Sequence, residues 1–435
     1  MKVAVIGTGI AGNVVAHRLH GAGHEITVFE ADARAGGHTH THCIEVDGEA
    51  HAIDTGFIVF NDRTYPHFIA LLDELGVDSQ PTSMSFSVRN DRRGLEYNGT
   101  SLDGLFAQRR NLVRPSFLAM LAEILRFHRR APALLAQDAP DVTLGEYLEE
   151  HGFRGRFVDD YLVPMGASIW STDPERMLTF PARFFMRFLH NHGMLTVNDR
   201  PTWRVVQGGS ARYVDRLTAR WRDRIRYGCP VQRVRRRADG VLVKAHERPD
   251  ERFDHVFLAC HADQSLGLLA DPTPAERDVL GALPYQQNEA VLHTDTSLLP
   301  RRRRAWAAWN YHVLHGADPR RGRVALTYNM NILQGLESRH TFCVTLNATE
   351  HVDPARVLAR LRYDHPLFTP AGVAAQQRHG EVSGAPHARD PVGRTHYCGA
   401  YWRYGFHEDG VVSARMALDR FERMHDAQRA LPRVA

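Results

Sequence analysis

Lysine is nearly missing from this chain. It occurs only at Lys2, in the opening strand, and at Lys244, in a stretch that reads as a surface hairpin, so arginine carries almost all of the 54 basic charges. Cysteine pairs are missing too: Cys43, Cys229, Cys260, Cys343 and Cys398 are scattered without C-x-x-C spacing, which argues against a disulfide framework or a thiolate zinc site and fits a reducing compartment. No apolar run approaches the ~20 residues a membrane span needs. G-x-S-x-G, H-E-x-x-H and P-loop patterns are absent, which sets aside the hydrolase, zincin and P-loop classes. The basic runs Arg233 to Arg237 and Arg301 to Arg304 lack interleaved aromatics and sit at predicted hairpin and loop edges, so nucleic acid is not expected as a partner. Net charge is only +4, and 43% hydrophobic residues over 435 positions suffice for a sizeable core.

What is present begins at once. Val3-Ala4-Val5-Ile6 reads as a buried strand running into Gly7-Thr8-Gly9-Ile10-Ala11-Gly12 and then a helix to about Ala22. Gly7 permits the turn, Gly9 lets the backbone approach a pyrophosphate, and Gly12 allows close helix–strand packing, while the helix N-terminus offers free N–H groups and its positive end. A second strand, Glu25 to Phe29, ends in Glu30, whose carboxylate is placed to accept the ribose hydroxyls of an adenosine and to repel a 2′-phosphate. Gly36-Gly37-His38-Thr39 then provides a second close approach, which an extended FAD needs and an NAD does not.

Val3 to Glu30, Gly36-Gly37 and Asp54-Thr55-Gly56-Phe57 resemble the N-terminal signature of the flavin amine oxidase, protoporphyrinogen oxidase and phytoene desaturase superfamily. Within it the chain is most similar to a bacterial group of predicted NAD/FAD-binding oxidoreductases linked to cyclopropane-fatty-acid-synthase-like genes, with Asp54 to Asn61 and Cys398 to Gly410 carrying the likeness. The resemblance implies an α/β architecture with a Rossmann-type FAD-binding domain (1–80, 205–284 and 386–435) interleaved with a substrate domain of mixed sheet plus helices (81–204 and 285–385). It implies noncovalent FAD held by Gly7, Gly9, Ile10, Ala11 and Gly12, by Glu30 and Ala31, and by Gly36, Gly37, His38 and Thr39. Thr55, Gly56 and Phe57 would lie by the flavin, Val231 at the adenine and Ala259 near the pyrophosphate. Glu408, Gly410, Val411 and Val412 would stand at the start of a final helix from Val411 to about Met424. Where relatives have Gly-Asp this chain has Gly399-Ala400, and Glu408 or Asp409 would supply the missing carboxylate.

The resemblance further implies hydride transfer from an apolar substrate, an unsaturated or methylated fatty acyl chain, to flavin N5. Flavin amine oxidases commonly hold a water near N5 with a lysine, so the scarcity of lysine counts against amine oxidation. The alternatives are an amine or cyclic-precursor oxidase of the same superfamily, or a non-catalytic flavin-binding partner of a lipid methyltransferase. His38, Tyr311 and His407 are the candidates for a catalytic group. His38, His40 and His42 would share one face of a strand, a pattern that can bind metal; the family runs this segment past the cofactor without one, and no metal is expected.

The rest of the chain supplies context. Tyr65 to Leu75 reads as a helix, and Ser85 to Tyr97 as a hairpin turning at Asp91-Arg92-Arg93-Gly94. Periodicity is helical from Ser101 to His192. Leu105 to Leu135 alternates apolar residues with arginines, a pattern that fits either a helix pair packed on its own domain or contact with an anionic membrane surface. Thr143 and Glu146 form a capping box, and Pro181 to His190 places Phe184, Phe185, Phe188 and Leu189 on one face, as core or as the lining of an apolar pocket. Strands are expected at Ala290 to Thr294, Ala305 to Val313, Val324 to Asn331 and Phe342 to Leu346, with Trp309, Asn310, Tyr311, Tyr328, Asn329 and Asn331 as candidate substrate-facing tips. A helix is expected from Asp353 to Arg362 and a last strand at Tyr397 to Ala400. Because a cleaved leader would remove the first strand of the nucleotide site, the expected location is the cytoplasm, with contact to the inner membrane as the alternative.

Overall fold

In the computed structural model, which describes residues 1–136, 141–196, 198–314 and 322–430, the opening strand Lys2–Ile6 lies at the centre of a five-stranded parallel sheet. The order is Ile225–Arg226, Glu25–Phe29, Lys2–Ile6, His255–Leu258 and Thr395–Tyr397. Runs such as Val3 to Ile6 and His255 to Leu258 are buried on both faces, as the strands of a covered parallel sheet must be. The opening helix Ile10–Gly21 and the closing helix His407–Ala430 pack on it, with Val14, Val15, Leu19, Phe257, Val411, Ala414 and Leu418 in one core. The two ends of the chain therefore meet.

The closing helix starts four residues earlier than expected, and Glu408, Asp409 and Gly410 lie in its first turn. Asp409 Oδ2 accepts the Phe406 N–H at 2.9 Å, which draws the chain into helix before the apolar residues begin. The last sheet strand, by contrast, ends at Tyr397, and Gly399 and Ala400 belong to the turn beyond it.

A second, mixed sheet has seven strands, in the order Val357–Pro366, Tyr285–His293, Cys343–Leu346, Leu326–Asn329, Trp309–Val313, Phe86–Asn90 and Leu95–Asn98. The helix expected over Asp353 to Arg362 is not formed. A short 3-10 turn at Pro354–Arg356 leads into the strand Val357–Pro366, paired antiparallel to Tyr285–His293. Here Arg360 and Arg362 are exposed while Ala359, Leu361 and Tyr363 turn inward, so the period is two and the long partner strand overrides the helical reading. The strand expected to Asn331 stops at Asn329, whose side chain accepts the Ile332 N–H and caps a short helix, Met330–Gln334.

Over residues 102–191 helices dominate, as expected. Leu105 to Leu135, where a helix pair is one of the expectations, holds the end of the short helix Leu102–Leu105, the 3-10 turn Arg109–Val113 and one long helix, Pro115–Leu135. Leu144–Glu150 carries the capping box of Thr143 and Glu146. Val163–Trp170 and Ala182–Asn191 enclose a core containing Phe127, Phe157, Trp170, Phe180, Phe185 and Phe188.

Candidate functional site

The glycine turn does what its sequence requires. Gly7 has φ +99°, and a Cβ there would lie 3.0 Å from the Ala259 carbonyl oxygen; a Cβ on Gly12 would come within 2.0 Å of the Gly7 oxygen. Only glycine fits either place. Nothing lies within 4 Å of a Cβ on Gly9, so the turn is open at its front, and as N-cap of the opening helix Gly9 places no side chain over the first-turn N–H groups. The second glycine pair rests on the first: a Cβ on Gly37, at φ +57°, would stand 3.1 Å from Gly9 Cα. The closing helix arrives at the same spot, with a Cβ on Gly410 falling 2.5 Å from Ile10 Cγ2. Two helix N-termini and two glycine loops thus converge, a concentration of positive dipole ends suited to a pyrophosphate and to a ring that gains negative charge on reduction.

Thr8 ties these parts together. Its N–H (2.9 Å) and hydroxyl both donate to Glu30 Oε2, and its carbonyl accepts Gly36 N–H at 3.0 Å and Asn13 Nδ2 at 2.7 Å. Glu30 Oε1 takes the Asp32 N–H at 2.9 Å, leaving capacity there for one ribose hydroxyl. The Cys229 N–H donates to the Glu30 carbonyl at 2.8 Å, which brings the strand beginning at Val231 beside the adenosine end. Arg34 went unnoticed in the sequence. Its guanidinium donates to the carbonyls of Gly37 (2.7 Å) and Thr39 (2.8 Å), holding the second glycine loop in shape; a cation four residues after Glu30 and two before Gly36 was the available signal.

At the other end of the cradle stands a buried polar cluster. His407 Nε2 lies 2.9 Å from Thr39 Oγ1 and 2.8 Å from the Tyr213 hydroxyl, and those two oxygens are 2.6 Å apart. The His407 ring stacks on Phe57 with centroids 3.4 Å apart. Burial pulls the His407 pKa down to about 3, so the ring is neutral. His38 sits nearby between Tyr363 (5.1 Å), His365 (5.4 Å) and His261 (6.0 Å), and burial followed by its neighbouring histidines holds it well below the ordinary imidazole range. The Phe57 N–H donates to the His38 carbonyl at 3.0 Å, and a Cβ on Gly56 would fall 1.9 Å from that oxygen, so the two segments touch backbone to backbone. Thr55 Oγ1 meets the Tyr363 hydroxyl at 2.9 Å. Asp54 accepts from Ser210 N–H and Oγ, Thr41 Oγ1 and Gln334 Nε2, and burial raises its pKa to about 6.

Other candidates fall elsewhere. Tyr311 is buried in the core of the seven-stranded sheet with Val88 and Leu326. Glu408 gives its two carboxylate oxygens to the N–H groups of His67 (3.1 Å) and Phe68 (2.9 Å), capping the helix Pro66–Leu75. Asp409 caps its own helix and is pushed up to about 7 by burial. The replacement carboxylate expected from these two is therefore already engaged, because each satisfies a helix end. The His40 and His42 rings lie 3.9 Å apart, tilted by 33°, but the strand starts at Thr41 and His38 lies before it, so the three do not share a strand face. Among the described residues no group of three or more His, Cys, Asp or Glu side chains is arranged to hold a metal ion. Asn310, Asn329 and Asn331 bond to the backbone of their own sheet and turns. Trp309 Nε1, in contrast, is buried without a hydrogen-bond partner.

The aromatic face of Ala182–Asn191 is buried, and it continues toward the cradle through the partly exposed Tyr404 and Phe406. Phe184 lies 4.6 Å from Tyr404 and 4.8 Å from Phe368, and Phe188 lies 5.2 Å from Phe406, the residue before His407. An apolar aromatic wall thus abuts the buried polar cluster.

Comparison with known proteins agrees with this geometry. Residues 10–298 match the sequence profile of the family described as flavin containing amine oxidoreductase. An L-amino-acid oxidase from Siganus canaliculatus is 23% identical over 329 residues, covering 68% of this chain and 57% of that one. The flavin-dependent L-tryptophan oxidase RebO from Lentzea aerocolonigenes is 36% identical over 76 residues, 18% of this chain and 16% of that one. The matched stretches thus span less than two thirds of these curated relatives' lengths. Among solved structures, cyclohexylamine oxidase from Brevibacterium oxydans IH-35A shares the fold with TM-score 0.69 at 17% identity, covering 98% of this chain and 99% of that one. A CLA-producing fatty acid isomerase from P. acnes shares it with TM-score 0.65 at 15% identity, covering 96% and 98%.

Proposed function

We propose, from the premise that this chain belongs to the flavin-containing amine oxidoreductase family, that it is an FAD-dependent oxidoreductase acting on an apolar substrate, an unsaturated or methylated fatty acyl chain. The residues present fit the cofactor: the glycine cradle has space in front of Gly9 and admits no side chain behind it, and Glu30 closes the adenosine end. When bound, FAD supplies a hydride acceptor at its N5, as the family chemistry provides.

The protein's own part is to bind, orient and exclude water. Gly7 to Gly12 and Gly36-Gly37 hold the phosphates, with Arg34 keeping the second loop in place. The positive end of the closing helix offsets negative charge developing in the site by about 1–2 kcal/mol. Thr39 and Tyr213 fix the His407 ring, which stays neutral and serves as a hydrogen-bonded, positioned member of the site wall. Phe57 and Phe68 cover that ring and keep bulk water away.

The observation that carries the substrate class is the wall of Phe184, Phe188, Phe368, Tyr404 and Phe406 running up to His407, with both lysines elsewhere. Lys2 Nζ lies 4.9 Å from the Phe253 ring and Lys244 Nζ donates to the Arg248 carbonyl, both at the antiparallel sheet of Val231–Arg237, Gly240–Ala245 and Glu251–Phe253. The fatty acid isomerase of the same fold supports this reading. A second reading, oxidation of an amine, is favoured by the family match and by the two amino-acid oxidase relatives. Anaerobic addition of unsaturated acyl chains, free or on phospholipid, should bleach the oxidised-flavin band of the purified protein while amines leave it unchanged. Bleaching by amines alone overturns the acyl assignment, and colourless protein that refuses added FAD overturns the enzyme.

A further inference from the structure

Seven large apolar side chains are exposed among the described residues, and five of them, Leu102 (77%), Leu112 (51%), Val113 (81%), Leu118 (42%) and Leu125 (52%), lie within one short stretch. They sit on three consecutive elements: the helix Leu102–Leu105, the 3-10 turn Arg109–Val113 and the first half of Pro115–Leu135. Leu118 and Leu125, seven residues apart, share one helix face, while Phe117, Met120 and Phe127 bury the other in the domain core. The helix packs on its own domain and still presents a second, outward apolar row.

Arginines rim this patch. Arg109, Arg110, Arg129 and Arg130 are exposed on the same elements. The run Arg301 to Arg304, distant in sequence, is brought alongside: Arg304 Nε lies 3.8 Å from Asp103 Oδ2. Nearby acids are already paired, Asp103 with Arg109 and Arg304, and Glu123 with Arg126. The apolar tips belong to aliphatic residues on helix and turn surfaces, with no tryptophan or tyrosine among them, unlike the aromatic anchors that dominate protein interfaces. Aliphatic tips among exposed arginines that outnumber the acids beside them match acyl chains beneath anionic headgroups.

We propose that this face docks on the surface of an anionic phospholipid bilayer, with Leu112, Val113 and Leu118 entering the acyl boundary and the arginines on the headgroups. This goes beyond the substrate reading and does not depend on it. The test is flotation of the full-length FAD-loaded protein with vesicles of phosphatidylcholine alone or mixed with phosphatidylglycerol. Binding is expected only to the mixed vesicles and should weaken with added salt. The triple variant L112S/V113S/L118S should bind roughly tenfold more weakly or worse, and replacing Arg301 to Arg304 by glutamine should weaken binding and flatten its salt dependence. Each variant should keep its melting temperature and flavin spectrum, and flavin reduction is measured without vesicles so that the two proposals fail separately. Wild-type protein that ignores the mixed vesicles, a triple variant that binds them equally well, or a wild-type dimer that the triple variant dissolves would overturn the assignment, the last giving the face to a second copy of the chain.

Discussion

The nucleotide cradle and the helical layer over residues 102–191 are both tightly packed, but they are specified differently. In the cradle the decisive contacts are backbone to backbone: Gly12 against the Gly7 carbonyl, Gly37 against Gly9, Gly56 against the His38 carbonyl. A single added methyl group has nowhere to go. In the helical layer the contacts are ring against ring, Trp170 with Phe188 at 4.7 Å and Phe127 with Phe153 at 5.5 Å, and it is filled volume that counts. Where backbone must approach ligand, identity is dictated atom by atom; where side chains only exclude water, hydrophobic size suffices.

Substitutions can break this contrast. The largest effect is expected from Gly12→Val, whose Cβ would collide with the Gly7 oxygen. The protein should purify without flavin and bind added FAD at least ~100-fold more weakly in a fluorescence titration. Phe188→Ala in the helical layer should keep its flavin but lose about 3–5 kcal/mol in denaturant unfolding. If instead the cradle variant kept its colour and the core variant lost it, the division of labour would be the reverse.

A pH titration of stability sharpens the comparison, because both regions bury neutral histidines. His407 at about 3 and His192 at about 4 have native pKa values below the ordinary 6.5, so the unfolded chain takes up their protons first. Their contribution is complete above about pH 6.5 and is lost as pH falls toward 4, by about 1.4 kcal/mol per group for each unit of depression. Asp54 and Asp409 act in the opposite sense. Raised to about 6 and about 7, they favour the native state at low pH, and that advantage is lost as pH climbs from about 4 through those values. Urea melts at intervals between pH 7 and 4 should show an acid-side loss that His407→Gln reduces and Asp54→Asn enlarges.

A smaller change is expected for Tyr213→Phe, which removes one hydroxyl from the cluster with Thr39 and His407: about 1–2 kcal/mol in unfolding, together with a shifted flavin absorption band. The smallest is Leu112→Ser, at an exposed site, where unfolding should change by no more than about 0.5 kcal/mol.

The elements legible in the sequence were those whose signal is local. Strand, turn and helix from Lys2 to Gly21 and the strand Glu25–Phe29 lie within a residue or two of where the pattern placed them, and so does the capping box at Thr143. The reading failed where a distant partner decided. Val357–Pro366 is a strand because Tyr285–His293 lies beside it. Glu408 is engaged as a cap because the helix at Pro66 needs one, a need visible only when residues 341 positions apart meet.

By itself the sequence determined that a dinucleotide cradle would open the chain and that lysine would be confined to Lys2 and Lys244, because glycine spacing and the scarcity of a side-chain type are properties of the covalent chain. Only the tertiary structure decided that Thr39, Tyr213 and His407 form one buried cluster, that Arg34 holds the second glycine loop, and that an arginine run near residue 300 meets the short helix that carries the exposed Leu102. Those facts depend on which distant segments exclude water together, and hydrogen-bond partners and burial come into being only when the chain closes on itself.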